Sequence, residues 1–294
     1  MLIFLALACF YCYKILIRFS KNLGFIDLPN QRKIHAIGTP RNGGLVLFFL
    51  FLISSFFVED HFIQLLRWPA TIVFLGGLID DYKKNTHALF KLSFQTCACL
   101  ILILNMDVPI LYKILFFFLT LGMTNSFNLL DNMNGITAFN SVLYFILFYF
   151  YSKPTGGPNL WLNLILGSII FLYFNYIKGQ IFLGDQGSQF LGFLISAYFS
   201  LCLSQKIIQT DSLRLLGPVL LITVGFFFVY IYDTLSVICI RLKNKKKIYE
   251  GDLNHISHKI HQAGLSKKWI PICITALQIP FIVLAYFIYN SFFL

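Results

Sequence analysis

The sequence predicts an all-α polytopic membrane protein of about ten transmembrane helices, and three observations predict it. Of 294 residues, 58% are apolar and only 12% charged, against about 25% charged in an average soluble domain. Mean hydropathy is +0.76. The apolar residues also fall in continuous runs, such as FLFLISSFFV and YFILFYFY. A transmembrane β-barrel would alternate apolar and polar residues instead. The same figures exclude a soluble globular domain, which needs more polar surface, and a disordered chain, which needs low hydrophobicity and high charge.

Residues 1–18 have no basic residue ahead of them, and Lys14, Arg18 and Lys21 come late. That is the reverse of a secretory signal, so the segment reads as a retained span with its N-terminus outside. Runs at 43–58, 67–79, 89–105, 108–124, 138–152 and 160–177 follow, 67–79 being short for a crossing of about 20 residues. The run at 189–205 comes after a Gly-rich turn. The ninth, 213–240, is too long for one straight crossing and holds Gly217-Pro218 and Gly225, which predicts a bent or broken helix. Residues 269–293 close the set. With no internal repeat and no soluble domain, residues 1–294 read as one membrane-embedded domain. The longest polar stretch, 241–268, is long enough for a helical hairpin or a cap over a site.

Net charge is +11. With the N-terminus outside, the stretches 18–42, 80–91, 125–137, 178–188 and 241–268 face the cytoplasm, and they hold 17 of the 23 Lys and Arg. The positive-inside rule therefore accounts for much of the basic balance without nucleic acid. The cluster from Arg241 to Lys247 also suits the headgroups of anionic membrane lipids. The seven cysteines lie in or beside apolar runs and offer neither a disulfide framework nor a paired zinc knuckle.

The acids carry the chemistry. Asp80, Asp81, Asp131, Asp185 and Asp233 sit within or at the ends of apolar runs, where a carboxylate at membrane depth costs about 2.5–3.5 kcal/mol on insertion scales. The expected topology collects all five on one side. Asn125, Asn128 and Asp131 recur every three residues and form a polar stripe on a helix. Asp185 lies in Gly184-Asp185-Gln186-Gly187-Ser188, a turn whose amides suit a phosphate. Asp252, His255 and His258 repeat the three-residue spacing in the basic stretch. Taken singly, acids at helix ends can pair with loop lysines, and an Asn stripe can be interhelical glue. Together, acids, cations and a Gly-rich turn on one face suit a metal-bound polyphosphate. Magnesium takes oxygen ligands, typically one or two carboxylates plus substrate phosphates. Zinc on the histidines is the weaker alternative, for want of a third ligand on their face.

At these residues the chain resembles the polyprenyl-phosphate N-acetylhexosamine-1-phosphate transferase family, bacterial enzymes that begin surface glycans on a lipid carrier. Asp27-Leu-Pro29-Asn-Gln-Arg32-Lys33-Ile-His35 with Pro40-Arg41-Asn-Gly43-Gly44 looks like the family's first cytoplasmic loop. Gly77-Leu-Ile-Asp80-Asp81 looks like its paired-aspartate motif, and Asn125 through Gly135 like its asparagine-aspartate motif. Phe182 through Ser188 looks like its metal-binding turn, and Asp252, His255 and His258 like its histidine loop. The motifs keep the family's order across nearly the whole chain. Three positions depart from it: Lys84 stands where a further acid is common, Asn134 where a second Asp is common, and Ser257 where a histidine is common. The last argues against the muramoyl-pentapeptide branch.

The resemblance implies transfer of a sugar-1-phosphate from a UDP-sugar to undecaprenyl phosphate, with release of UMP, in the bacterial inner membrane and with a cytoplasm-facing site. It implies Mg2+ held by Asp185, with Asp131 as a second ligand or supporting partner. It places Asp80 and Asp81 near the lipid phosphate, where one of them would accept its proton if that phosphate arrives monoprotonated. Asn125 and Asn128 would contact the nucleotide or position Asp131. Gly187 and Ser188 would lie in the turn at the substrate. Arg241, Asp252, His255 and His258 would hold diphosphate or sugar, with Lys33 and His35 as further phosphate contacts. The chain is compatible with a homodimer. A cation-coupled transporter is the alternative, since intramembrane acids and a broken helix also mark transport sites. A transporter, however, gathers its acids near the midplane of pseudo-symmetric halves. A purely structural scaffold leaves the acids unexplained, and the tight Asp-Gly…Asp…Asp run of alcohol phosphatidyltransferases is absent.

Overall fold

The computed structural model describes residues 2–20, 22–27, 38–83, 86–210, 215–247 and 252–293. Each of the ten apolar runs is helical: α1 (Leu2–Phe19), α2 (Gly44–Ser55), α3 (His61–Lys83), α4 (Ala88–Leu104), α5 (Ile110–Leu130), α6 (Ile136–Tyr151), α7 (Pro158–Leu172), α8 (Gly184–Thr210), the pair α9 (Leu216–Phe226) and α10 (Phe228–Lys243), and α12 (Ile270–Phe293). A short α11 (Ile256–Gln262) lies in the polar stretch before α12. A two-residue antiparallel ribbon pairs β1 (Ile26–Asp27) with β2 (Thr39–Pro40), Ile26 opposite Pro40. Among the described residues this makes an all-α polytopic membrane protein.

Six helices are long and apolar enough to cross a membrane, or seven if the bent pair α9–α10 counts as one span. The other three runs give shorter helices. The 12 residues of α2 rise only about 18 Å, well short of a hydrocarbon core of about 30 Å. The run at 67–79 errs the other way, because α3 begins at His61 and runs 23 residues. Asp60 starts it by accepting the amides of Phe62 (2.9 Å) and Ile63 (3.1 Å) at one oxygen. Polar residues in that first turn hide the helix from a hydropathy reading. The same helix carries Asp80 and Asp81 in its last turn.

The predicted break in the ninth run is present. Between α9 and α10 the chain turns by 86°, one residue past the Gly225-Phe226 pair. A break in an apolar layer strands backbone groups, and Gln278 of α12 satisfies them. Its Oε1 accepts the Val229 amide at 2.9 Å, while its Nε2 donates to the carbonyls of Gly225 and Phe226 at 3.0 Å each. The Tyr144 hydroxyl also donates to the Phe226 carbonyl, at 2.9 Å. Gln278→Leu leaves the Val229 amide and the Gly225 carbonyl without their side-chain partner and is expected to lower stability by about 1–3 kcal/mol, read as a fall in the thermal midpoint of purified protein in detergent.

The most buried element is α8, with α3 and α5 as its main neighbours. Glycines let the backbones meet at its N-terminal end. A Cβ on Gly77 of α3 would lie 2.5 Å from the Cα of Gln186, and one on Gly44 of α2 would lie 2.3 Å from the Cα of Gly187. These approaches bring the paired aspartates of α3 against the first turn of α8. After α7 the chain makes a π-helical turn, Tyr173–Ile177. There the buried Asn175 ties two loops together, its Oδ1 accepting the Gly135 amide and its Nδ2 donating to the Ile181 carbonyl, both at 2.8 Å. The seven cysteines are all free thiols.

Candidate active site at the paired carboxylates

Asp81 is sealed. Its side chain has 0% exposure, and its two oxygens accept the Asp185 amide (3.1 Å) and the Gln186 amide (2.9 Å). The carboxylate therefore caps the N-terminus of α8, where a negative charge is favoured. Arg41 pairs with the same group through Nε at 2.8 Å and Nη2 at 2.5 Å. Asp80 faces the other way. It accepts from the Thr86 hydroxyl and, at 3.0 Å, from Lys91 of α4. Lys91 bridges on to Asp185 Oδ2, also at 3.0 Å. One lysine thus joins the last turn of α3 to the first turn of α8.

Asp185 stands at the edge of a cavity of about 1590 Å³ lined also by Asn128, Asp131, Asp252 and His258. Asn128 is held in place by the Ser188 hydroxyl, which donates to its Oδ1 at 2.7 Å, and its amide lies 3.5 Å from Asp185. Gly187 serves packing against Gly44. Asn125 lies one turn back, bonded to Gln95 of α4 rather than to the cavity. Asp131 ends α5. Burial in the cleft pushes its carboxyl up to about 7, the negative charge of Asp185 adding to the shift.

The polar stretch folds over this cavity through buried polar contacts. Asp233 of α10 has 0% exposure. One of its oxygens accepts the Ile256 amide at 2.6 Å, and the other meets His255 Nδ1 at 2.7 Å. Ser257 donates to Asn132 Oδ1 at 2.6 Å. It occupies the place expected for a histidine and works as a clamp between α11 and the asparagine-aspartate loop. Arg241 is buried too, and its Nε donates to Asp252 Oδ2 at 2.8 Å. The pair anchors the start of the loop. His258 faces the cavity. Burial and then the nearby His255 and His261 lower its pKa. Lys33 and His35 lie outside the described residues.

Burial alone would raise the pKa of Asp252, but hydrogen bonds from Arg241 and Asn254 overcome it and hold the group at about 2. A depressed carboxylate stabilises the fold above its ordinary pKa of about 3.9 and loses that contribution as pH falls through its folded value. Proteolysis of the 252–262 loop is therefore expected to stay slow from pH 7 down to about 4 and to rise below that. In Asp252→Asn cleavage is faster at pH 7 and no longer changes over the acid range.

Several residues here escaped the motif reading. In the sequence Lys91 is one of three cations at a loop, although it follows the apolar run's start and sits four residues before Gln95, on the same helix face. Gln95 and Gln189 are lone amides inside apolar runs, which was the available signal. Arg41 was visible only as part of a longer loop motif.

The oxygen donors fit a hard divalent cation. Asp131 and Asp185 both line the cavity, and among the described residues Asp185 Oδ1 accepts no hydrogen bond. No group of three His, Cys, Asp or Glu side chains forms a protein-only metal cage among the described residues. Magnesium does not require one, since one or two carboxylates plus substrate phosphates suffice.

A bundle of apolar helices with carboxylates, a bridging lysine and amide side chains gathered at one end defines a membrane-embedded enzyme of anionic substrates. Residues 63–204 match glycosyl transferase family 4. The probable undecaprenyl-phosphate N-acetylglucosaminyl 1-phosphate transferase of Bacillus subtilis is 29% identical over 273 residues, 85% of this chain and 74% of that protein. The undecaprenyl-phosphate alpha-N-acetylglucosaminyl 1-phosphate transferase of Thermotoga maritima is 30% identical over 261 residues, 86% of this chain and 78% of that one. The phospho-N-acetylmuramoyl-pentapeptide-transferase of Staphylococcus epidermidis is 28% identical over 273 residues, 80% of each chain. The chain belongs to glycosyl transferase family 4, among the polyprenyl-phosphate N-acetylhexosamine-1-phosphate transferases.

Proposed function

We propose that the protein transfers a sugar-1-phosphate, N-acetylhexosamine-1-phosphate by its relatives' names, from a UDP-sugar to undecaprenyl phosphate. A lipid phosphate oxygen bonds to the β-phosphorus, the bond between the two phosphates breaks, and UMP leaves. The product begins a cell-surface glycan. One observation carries the reading: Asn128, Asp131 and Asp185 meet on one cavity while Lys91 bridges Asp80 and Asp185.

Two anions must approach and a third must leave, so the demand on the protein is electrostatic. Asp185 and Asp131 would hold Mg2+, which supplies charge neutralisation for the diphosphate. Lys91 offers a further cation beside the same carboxylate, and Asp80 aims it. The second pKa of a phosphate monoester lies near 6, so the lipid phosphate arrives largely as the dianion and no base has to deprotonate it. Asp81 then acts by holding Arg41 and the start of α8 in place. Asn128 would bind the nucleotide and His258 the diphosphate or sugar, while His255, buried against Asp233, holds the loop that carries His258. The ten helical runs are proposed as ten crossings, with the site on the cytoplasmic face of the bacterial inner membrane. The support is that the five stretches expected on that side hold 17 of the 23 Lys and Arg of the sequence.

The test is UMP release by purified protein in detergent with undecaprenyl phosphate, magnesium and a panel of UDP-sugars. Lipid- and magnesium-dependent UMP from one donor is expected. Hydrolysis of every donor without lipid, or no release from folded protein, overturns the proposal.

A further inference from the structure

Behind Asp185 three amide side chains from three helices form a chain with a fixed direction. Asn125 Nδ2 donates to the Leu121 carbonyl at 2.9 Å and to Gln95 Oε1 at 2.8 Å. Gln95 Nε2 donates to Gln189 Oε1 at 3.0 Å. Gln189 Nε2 donates to Asp185 Oδ2 at 3.3 Å. A carbonyl and a carboxylate only accept, so the two ends fix which way every amide between them points. Gln95 and Gln189 are each 1% exposed, and water cannot substitute for either.

We propose that Gln95 and Gln189 are positioning residues for Asp185, locking one carboxylate oxygen so that the other is presented to a divalent cation. The donors divide accordingly. Gln189, Lys91 and Asn128 all converge on Oδ2, and Oδ1 accepts none among the described residues. A carboxylate held by one oxygen keeps its second oxygen at a fixed angle, as the outer partners of metal ligands commonly do. The chain joins α5, α4 and α8, so the angle is set by three helices at once. The inference rests on Asp185 as the cation ligand. The plainer role for such amides is interhelical glue, which would lower stability when lost and leave cation affinity alone.

The experiment separates the two. Mn2+, a paramagnetic stand-in for magnesium, is titrated onto detergent-purified protein and its free concentration read by electron paramagnetic resonance, with Asp185→Asn as the reference for loss. Gln189→Met keeps the volume and removes the donor. It is expected to weaken Mn2+ binding on the order of tenfold and to raise the magnesium needed for half-maximal UMP release by a similar factor, with kcat at saturating magnesium changed less. Gln95→Glu keeps the shape but cannot donate to Gln189 in its ionised form. The same shift is expected, smaller than tenfold. Wild-type affinity in both variants, with only a lower thermal midpoint, overturns the proposal. So does wild-type protein whose Mn2+ binding is indifferent to Asp185→Asn. Because binding is read without turnover, protein that binds Mn2+ through Asp185 yet releases no UMP fails the transfer reading and keeps the relay.

Discussion

Asp185→Asn is expected to reduce magnesium-dependent UMP release on the order of 1000-fold, at the upper end of what removal of one preorganised electrostatic group costs a catalyst. The substitution keeps the shape of the side chain and deletes its charge. Lys91 still has Asp80 at 3.0 Å, so the cation between α3 and α8 is not orphaned and the fold should hold. The thermal midpoint should therefore move little while turnover collapses, even at high magnesium. Turnover restored by raising magnesium would instead mean that Asp185 contributes only affinity. Turnover within a few-fold of wild type would remove it from the reacting centre altogether.

Arg41→Met should act in the opposite way, on stability first. Arg41 is the charged partner of a carboxylate with no exposure. Removing one member of a buried pair strands the other, a loss of about 3–5 kcal/mol. The amides of Asp185 and Gln186 still serve Asp81, which places the expected loss at the lower end of that range. Arg41→Met with Asp81→Asn, which deletes the stranded charge, should recover part of it. The readout is the thermal midpoint of the two variants side by side. A single variant as stable as wild type would mean that Asp81 is neutral in the fold.

The helices and the kind of site were legible in the sequence because both are written locally. Continuous apolar runs define spans, and Gly225 near the middle of an overlong run marked the break now seen beside it. Asp131 and Asp185 stood out because a carboxylate in such surroundings needs a reason. What the sequence did not show were partners far apart in the chain. Asp233 was visible as an isolated acid, but its contact with His255 spans 22 residues and the whole second half of α10. Arg241 read as one of a basic cluster open to phosphate, while the fold buries it against Asp252. Gln278 carries no motif signal in the sequence, and only the 86° turn of α9–α10 gives it work. Spacing along a strand of letters reports which residues share a helix face. It does not report which helix comes to lie against that face.

The Arg41–Asp81–Gln186 contact also has a consequence for the order in which the chain is made. Arg41 leaves the ribosome 40 residues before Asp81, and Gln186 emerges only 105 residues after it. While α3 enters the bilayer, the helix end that later receives its aspartate does not yet exist. The guanidinium is already there. The aspartate therefore has a countercharge during insertion, when an unpaired carboxylate is most unwelcome, and the amides of α8 arrive later to complete the cap.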